Sequence, residues 1–158
     1  MIYATLKTVH VLSIIVWIGG MVFTHFFLRP AVANLDPPVR MRLMHDVLGR
    51  FFRAVLVASL LTLASGVWML GRVAKQVVQS GGSFQMPLAW TIMTVLGIAM
   101  VGIFMYIRFV LYKRFDRCVA AAEWTAGGSA LAQIRYWVAI NLGLGVLVLL
   151  VTLLRGTA

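Results

Sequence analysis

The chain has 158 residues, 62% of them hydrophobic and only 11% charged. Soluble domains run about 45–50% apolar and about 25% charged, so a water-soluble globule is excluded, as are a disordered chain, a coiled coil and a disulfide-stapled secreted domain. Lys and Arg total 14 against 4 acids, a net charge of +10; with a mean hydropathy of +0.97, that excess reads as the basic flanks of membrane spans and not as a nucleic-acid surface.

A hydrocarbon core about 30 Å thick takes roughly 20 apolar residues as a helix. Four stretches meet that requirement, 2–28, 54–70, 88–112 and 134–154. They predict an all-α fold, a four-helix transmembrane bundle forming one integral membrane domain over 1–158, in contact with membrane lipid. The first stretch is too long for a cleaved signal peptide, lacks a basic leader and ends in Arg29-Pro30 without a small-residue cleavage site. After it, Val39, Leu43, Val47 and Phe51 recur every four residues opposite Arg42, Asp46, Gly49 and Arg53, the pattern of an interfacial amphipathic helix started by Asp36-Pro37-Pro38. Ser80-Gly81-Gly82-Ser83 marks a turn, and Pro87 suits the first turn of the third helix. That helix should run on from Lys113 to about Trp124, with Gly127-Gly128-Ser129 as the next turn and Ser129 as N-cap of the fourth.

Basic residues set the expected orientation. Arg29, Arg40, Arg42, Arg50, Arg53, Arg108, Lys113, Arg114, Arg117 and Arg135 fall on one side; Lys7, Arg72, Lys75 and Arg155 fall on the other. The loops 29–53 and 113–133 are therefore expected on the cytoplasmic side, with both termini outside, in a bacterial inner (plasma) membrane. Cys118 is the single cysteine and has no second thiol for a bridge or a thiolate metal site.

Ionisable groups inside a bilayer are costly and are functional candidates by default. Asp36, Asp46, Asp116 and Glu123 all lie in predicted loops, which disfavours a proton-coupled transporter built on an embedded acid. Lys7, His10, Ser13, Trp17, Met21 and Thr24 follow the 3-and-4 spacing of one helix face. His10, about 12 Å in from the helix start, leads this stripe. Its imidazole suits a cofactor or metal ligand, a proton-handling group, or a hydrogen bond that pins a neighbouring helix. Lys7 also reads as a snorkelling side chain. His25 lies about 22 Å further along the axis, beyond reach of any metal on His10. Met21 and His25 are four apart, and Met41, Met44 and His45 share their depth. Thioether plus imidazole selects copper(I), while methionine also fills gaps in apolar cores.

The segment Leu6-Lys7-Thr8-Val9-His10 followed by Trp17-Ile18-Gly19-Gly20 resembles the first helix of the copper-resistance protein D (CopD) family. The related J-type protoporphyrinogen oxidases of bacterial haem synthesis show a similar pattern. Arg50-Phe51-Phe52, entering a helix that ends Ser65-Gly66-Val67-Trp68, resembles the first group, and the likeness spans residues 5–70. The resemblance implies a four-helix membrane bundle and a copper-handling role. The oxidases would add haem b, with His10 as axial ligand. CopD members often have eight spans, so a four-span chain implies a stand-alone half or a homodimer.

Ligand counts limit both chemistries. Residues 54–158 hold no histidine, so haem on His10 has one protein ligand, or Met93 as partner, or His10 of a second protomer. Copper(I) needs two or three soft or imidazole ligands, which Met21, His25, Met41, Met44 and His45 supply at the other depth. A non-catalytic scaffold that holds partner helices through Gly19-Gly20, Gly97, Gly102, Gly143 and Gly145 stays open beside copper handling and haem binding, with Asn141 as an interhelical latch. Copper- or haem-handling proteins are the partners these readings imply.

Overall fold

A computed structural model of the chain describes residues 2–83 and 85–155. These form four long helices: α1 (Ile2–Ala31), α2 (Pro37–Gln79), α3 (Leu88–Ala120) and α4 (Trp124–Arg155), each long and apolar enough to cross a membrane. Short connections at 32–36 and 121–123 lie at the end where most of the arginines fall; the 80–87 connection lies at the other end. We call these the arginine-rich end and the open end. The first helix packs along α2 and α4, α3 packs on α4, and the final stretch of α3 (Tyr112–Ala120) closes against α2.

The stretch 37–53 is helical and begins at Pro37 behind Asp36, as its sequence suggested. It is not a separate interfacial helix. It continues unbroken into the second span as one helix of 43 residues. No proline follows Pro38 before residue 87, and isolated glycines such as Gly49 are tolerated within a helix. The arginine-bearing half of α2 thus packs on the other helices through Met41, Met44, Leu48 and Phe52, all buried.

The turn before α4 also differs from its prediction. Gly127, Gly128 and Ser129 lie inside α4, and the Ser129 hydroxyl bonds back to Thr125 O instead of capping. The chain reverses at Ala121–Glu123. A Cβ on Gly127 would stand 3.6 Å from Cys118 Cβ, and one on Gly128 3.7 Å from Met41 Cε, both ordinary contact distances.

Two helices stop by the same device. At the end of α2, Gly82 N–H bonds Val77 O at 3.0 Å and Gly81 N–H bonds Val78 O at 3.1 Å. At the end of α3, Glu123 N–H bonds Cys118 O at 2.9 Å and Ala122 N–H bonds Val119 O at 3.2 Å. This is the Schellman arrangement, which requires a left-handed residue at its corner. The corner is Gly81 (φ 81°) in one case and Ala122 (φ 54°) in the other.

Packing is one-ended. On α1 no residue before Ser13 is buried, on α2 none after Ser65, on α3 none before Met100 and on α4 none of the described side chains after Gly145. The core lies between those levels and the arginine-rich end, with Phe52, Phe104 and Phe115 at most 2% exposed. Outward faces carry exposed Leu12, Ile15, Val57, Leu60, Val95, Ile98, Leu149 and Leu150, as a lipid-facing surface does. Lipid tails are as apolar as these side chains, so helix association rests on close packing. Gly20 accepts the edge of Phe51, and Gly145 receives Ile18 from α1 and Met100 from α3.

Two outcomes follow for thermal unfolding in detergent. Gly20→Ala drives a methyl into the Phe51 ring and lowers stability by about 1–3 kcal/mol, whereas Gly19→Ala, with no atom within 4 Å of its added carbon, leaves it unchanged or slightly raised. Ala122→Gly removes the left-handed strain and raises stability by about 1 kcal/mol, while Gly81→Ala lowers it by a similar amount.

Candidate functional site

His10 lies half-buried on α1 against α2. Its Nδ1 is 2.9 Å from Ser65 Oγ, across a sequence separation of 55 residues. The Ser65 hydroxyl donates its single proton to its own helix, to Leu61 O with Thr62 O at 3.2 Å as a second acceptor. Serine has one O–H, so toward His10 its oxygen accepts and Nδ1 carries the hydrogen. In the neutral ring this places the lone pair on Nε2. Gly66 completes the seat: a Cβ there would approach His10 Cε1 to 3.3 Å. The bond lies at the boundary between packed core and open end, since Ser13 and Ser65 are the outermost buried residues of their helices.

One turn inward, the stripe of α1 enters the core. Trp17 is 4% exposed and meets the Phe104 ring edge-on at 6.0 Å. Phe104 meets Phe52 at 6.1 Å, and Phe52 meets Tyr112 at 5.4 Å. Tyr112 stacks on His45 at 5.5 Å, and its hydroxyl donates to the His45 carbonyl at 3.0 Å. The His45 ring stands 2.7 Å from Asp116 Oδ1 through Nε2 and 3.4 Å from Asp46 Oδ1 through Nδ1. Both of its nitrogens thus face carboxylates.

Two cavities occupy the arginine-rich end. The larger, about 460 Å³, opens between α1, α2 and α4, with His25, Met41 and Met44 in its lining. The second, about 420 Å³, lies beside His45, Asp46, Arg50, Arg53, Arg108 and Tyr112. Each is reached by a π-helical segment, Phe23–Leu28 in α1 and Ile107–Leu111 in α3. Such wide turns re-aim side chains and are frequent at functional sites. Here they bring His25 to one cavity and Arg108 to the other.

The copper resistance protein D (CopD) family matches residues 45–155. The chain belongs to the CopD family. No curated protein and no solved structure matches it. In this CopD chain the matched range runs from the middle of the arginine-rich half of α2 to the end of α4. It includes Arg50-Phe51-Phe52 and Ser65-Gly66-Val67-Trp68, and extends well beyond residue 70, where the likeness read from the sequence ends. The segment from Leu6 to Gly20 lies outside that range. The fold nevertheless joins it to matched residues: His10 to Ser65 and Gly66, Trp17 to Phe104, Ile18 to Gly145 and Gly20 to Phe51.

The structure separates several residues that sequence depth had grouped. His25, Met41 and Met44 share the larger cavity, together with three arginines, whereas His45 faces the other one. Met21 is 2% exposed in the core and does not line the cavity of His25. The π turn begins between them at Phe23 and breaks the i, i+4 stacking of an uninterrupted α-helix. Lys7 is exposed. Met93 is half-buried on α3, which packs chiefly on α4 and meets the helix carrying His10 through the Trp17–Phe104 contact. Neither described cavity touches His10, and Gly66 packs against its ring. Among the described residues no group of three His, Cys, Asp or Glu side chains converges on one point. Asn141 is 1% exposed, and its Oδ1 has no hydrogen-bond partner, so that atom makes no interhelical latch.

In the sequence Ser65 stands only within the Ser65-Gly66-Val67-Trp68 motif, with nothing that pairs it with His10. A long-range contact leaves no spacing signal; the only clue was a Ser-Gly pair, small enough to admit a ring, in an otherwise large apolar helix. The pairing has a spectroscopic consequence. In ¹⁵N NMR of labelled protein, His10 should show the Nδ1–H tautomer, and Ser65→Ala should populate the Nε2–H form as well.

Proposed function

We propose that this CopD-family protein handles copper(I) in the membrane, as part of copper resistance, with His10 as its intramembrane ligand. The observation that carries this reading is the Ser65 hydroxyl on Nδ1, which orients the imidazole and leaves Nε2 as the donor. Metal-ligating histidines are held in this way, with the second nitrogen bonded to an outer partner that fixes tautomer and ring plane. The position supports it too. His10 stands where the open end narrows into packed core, so an ion entering between the helices meets this imidazole before the aromatic layer. A single imidazole binds copper(I) weakly, which suits transfer between partner proteins better than storage.

The cluster at the arginine-rich end suits copper less. His25, Met41 and Met44 line their cavity beside Arg29, Arg40 and Arg135, and three guanidinium charges disfavour a second cation. Both nitrogens of His45 face carboxylates. On this reading both termini are outside, so capture at His10 is on the outer side.

The test combines a spectrum with a binding assay. Protein purified in detergent should be colourless, bind copper(I) in competition with a chromogenic chelator, and lose at least about tenfold in affinity on His10→Ala but not on His25→Ala. Ser65→Ala should fall between wild type and His10→Ala. A Soret band that His10→Ala abolishes would overturn the copper reading in favour of haem. A colourless protein with no copper affinity would leave the scaffold.

A further inference from the structure

The larger cavity has a lining that suits neither a cation nor a purely apolar ligand. Three helices each contribute one arginine to it: Arg29 from α1, Arg40 from α2 and Arg135 from α4. Arg135 is half-buried, and both other guanidinium groups are near enough to act on it electrostatically. No carboxylate lines the cavity. Asp46 and Asp116 face His45 at the other cavity, and among the described residues no arginine forms a salt bridge. Arg40 is held in place by donating from Nη1 to Ala33 O at 3.2 Å. Like charges gathered at one partly desolvated site repel one another unless an anion sits between them. Arginine forks match the oxygens of a phosphate group in particular.

The rest of the lining is apolar. Met41, Met44, Leu48, Ile134 and Val138 form it on the α2 and α4 sides. A volume of about 460 Å³ is in the range of small-molecule sites. On the turn of α1 that carries His25, Phe23, Phe26 and Phe27 are each more than half exposed. These phenyl rings face lipid, and arginines near helix ends reach headgroup level. A phosphate with an apolar body attached, at headgroup level between helices, describes an anionic phospholipid, and basic pockets between membrane helices hold such headgroups.

We propose that this cavity binds the phosphate of an anionic phospholipid, with Arg29, Arg40 and Arg135 as the anion-binding groups and the Met41–Met44–Ile134–Val138 surface receiving the apolar portion next to it. Bound there, the lipid ties α1, α2 and α4 together at the arginine-rich end. The site is at the opposite end of α1 from His10 and does not depend on copper.

The experiment compares full-length protein in nanodiscs of phosphatidylcholine with and without phosphatidylglycerol, and in detergent with sodium phosphate. Thermal unfolding and native mass spectrometry are the readouts. Phosphatidylglycerol should raise the unfolding midpoint and remain as a bound adduct, whereas phosphatidylcholine and free phosphate should do neither. Arg135→Gln should weaken phosphatidylglycerol retention about tenfold. Arg117→Gln, an exposed site outside the cavity with the same loss of charge, should not. Equal behaviour of the two lipids, or equal effects of the two variants, would overturn the site. Stabilisation by free phosphate equal to that by the lipid would overturn the lipid assignment in favour of a soluble anion. Should Arg135→Gln fail to fold, the lipid comparison on wild-type protein decides.

Discussion

The rest of the molecule depends on a run of aromatic contacts at one end of the bundle. Trp17 from α1, Phe104 and Tyr112 from α3, and Phe52 from α2 meet ring to ring and join three helices along this end of the bundle. In lipid, apolar side chains gain nothing by leaving one hydrocarbon for another, so such fitted contacts and small-residue approaches hold helices together. The end that contains them is packed. The other end is not, and this difference gives the molecule a closed base and an open mouth.

That asymmetry places the two polar features. His10 stands one turn above the packed layer, near the level of Ser65, where an imidazole is held by a neighbouring hydroxyl without being shut in. The arginines gather at the base, where α1, α2 and α4 end or begin, and the connections are too short to spread their charges apart. The base therefore carries uncompensated positive charge around a cavity while the mouth presents a neutral donor nitrogen. The two proposals, a soft cation at the mouth and an anionic headgroup at the base, rest on this division.

The π-helical segments contribute to the same division. Both occur in the half of the molecule that faces the base, one in α1 and one in α3. Within these wide turns His25 and Arg108 line cavities, while Met21 and Ile107 stay in the core. The polar groups of the base are thus distributed over two separate recesses.

How much of this was legible before the fold was known depends on the range of each signal. Runs of apolar residues and the imbalance of basic residues are local properties, so the count of helices, the start of α2 at Pro37 and the turn at Ser80–Gly82 followed from the sequence alone. The stripe of Ser13, Trp17 and Met21 was legible as well, because a helix face repeats every three or four residues. The sequence did not indicate that residues 37–53 belong to the same rigid helix as the second span, since an amphipathic pattern is the same whether its apolar side meets lipid or protein. Nor did it show that Gly127 and Gly128 lie inside α4 and not in a turn, because a helix held by its neighbours tolerates glycine. The partnership of His10 with Ser65, the parting of His45 from His25, and the meeting of Arg29, Arg40 and Arg135 all join residues far apart in the chain. Only the packing of helices against one another decides such contacts, and it brings together groups between which the sequence carries no spacing at all.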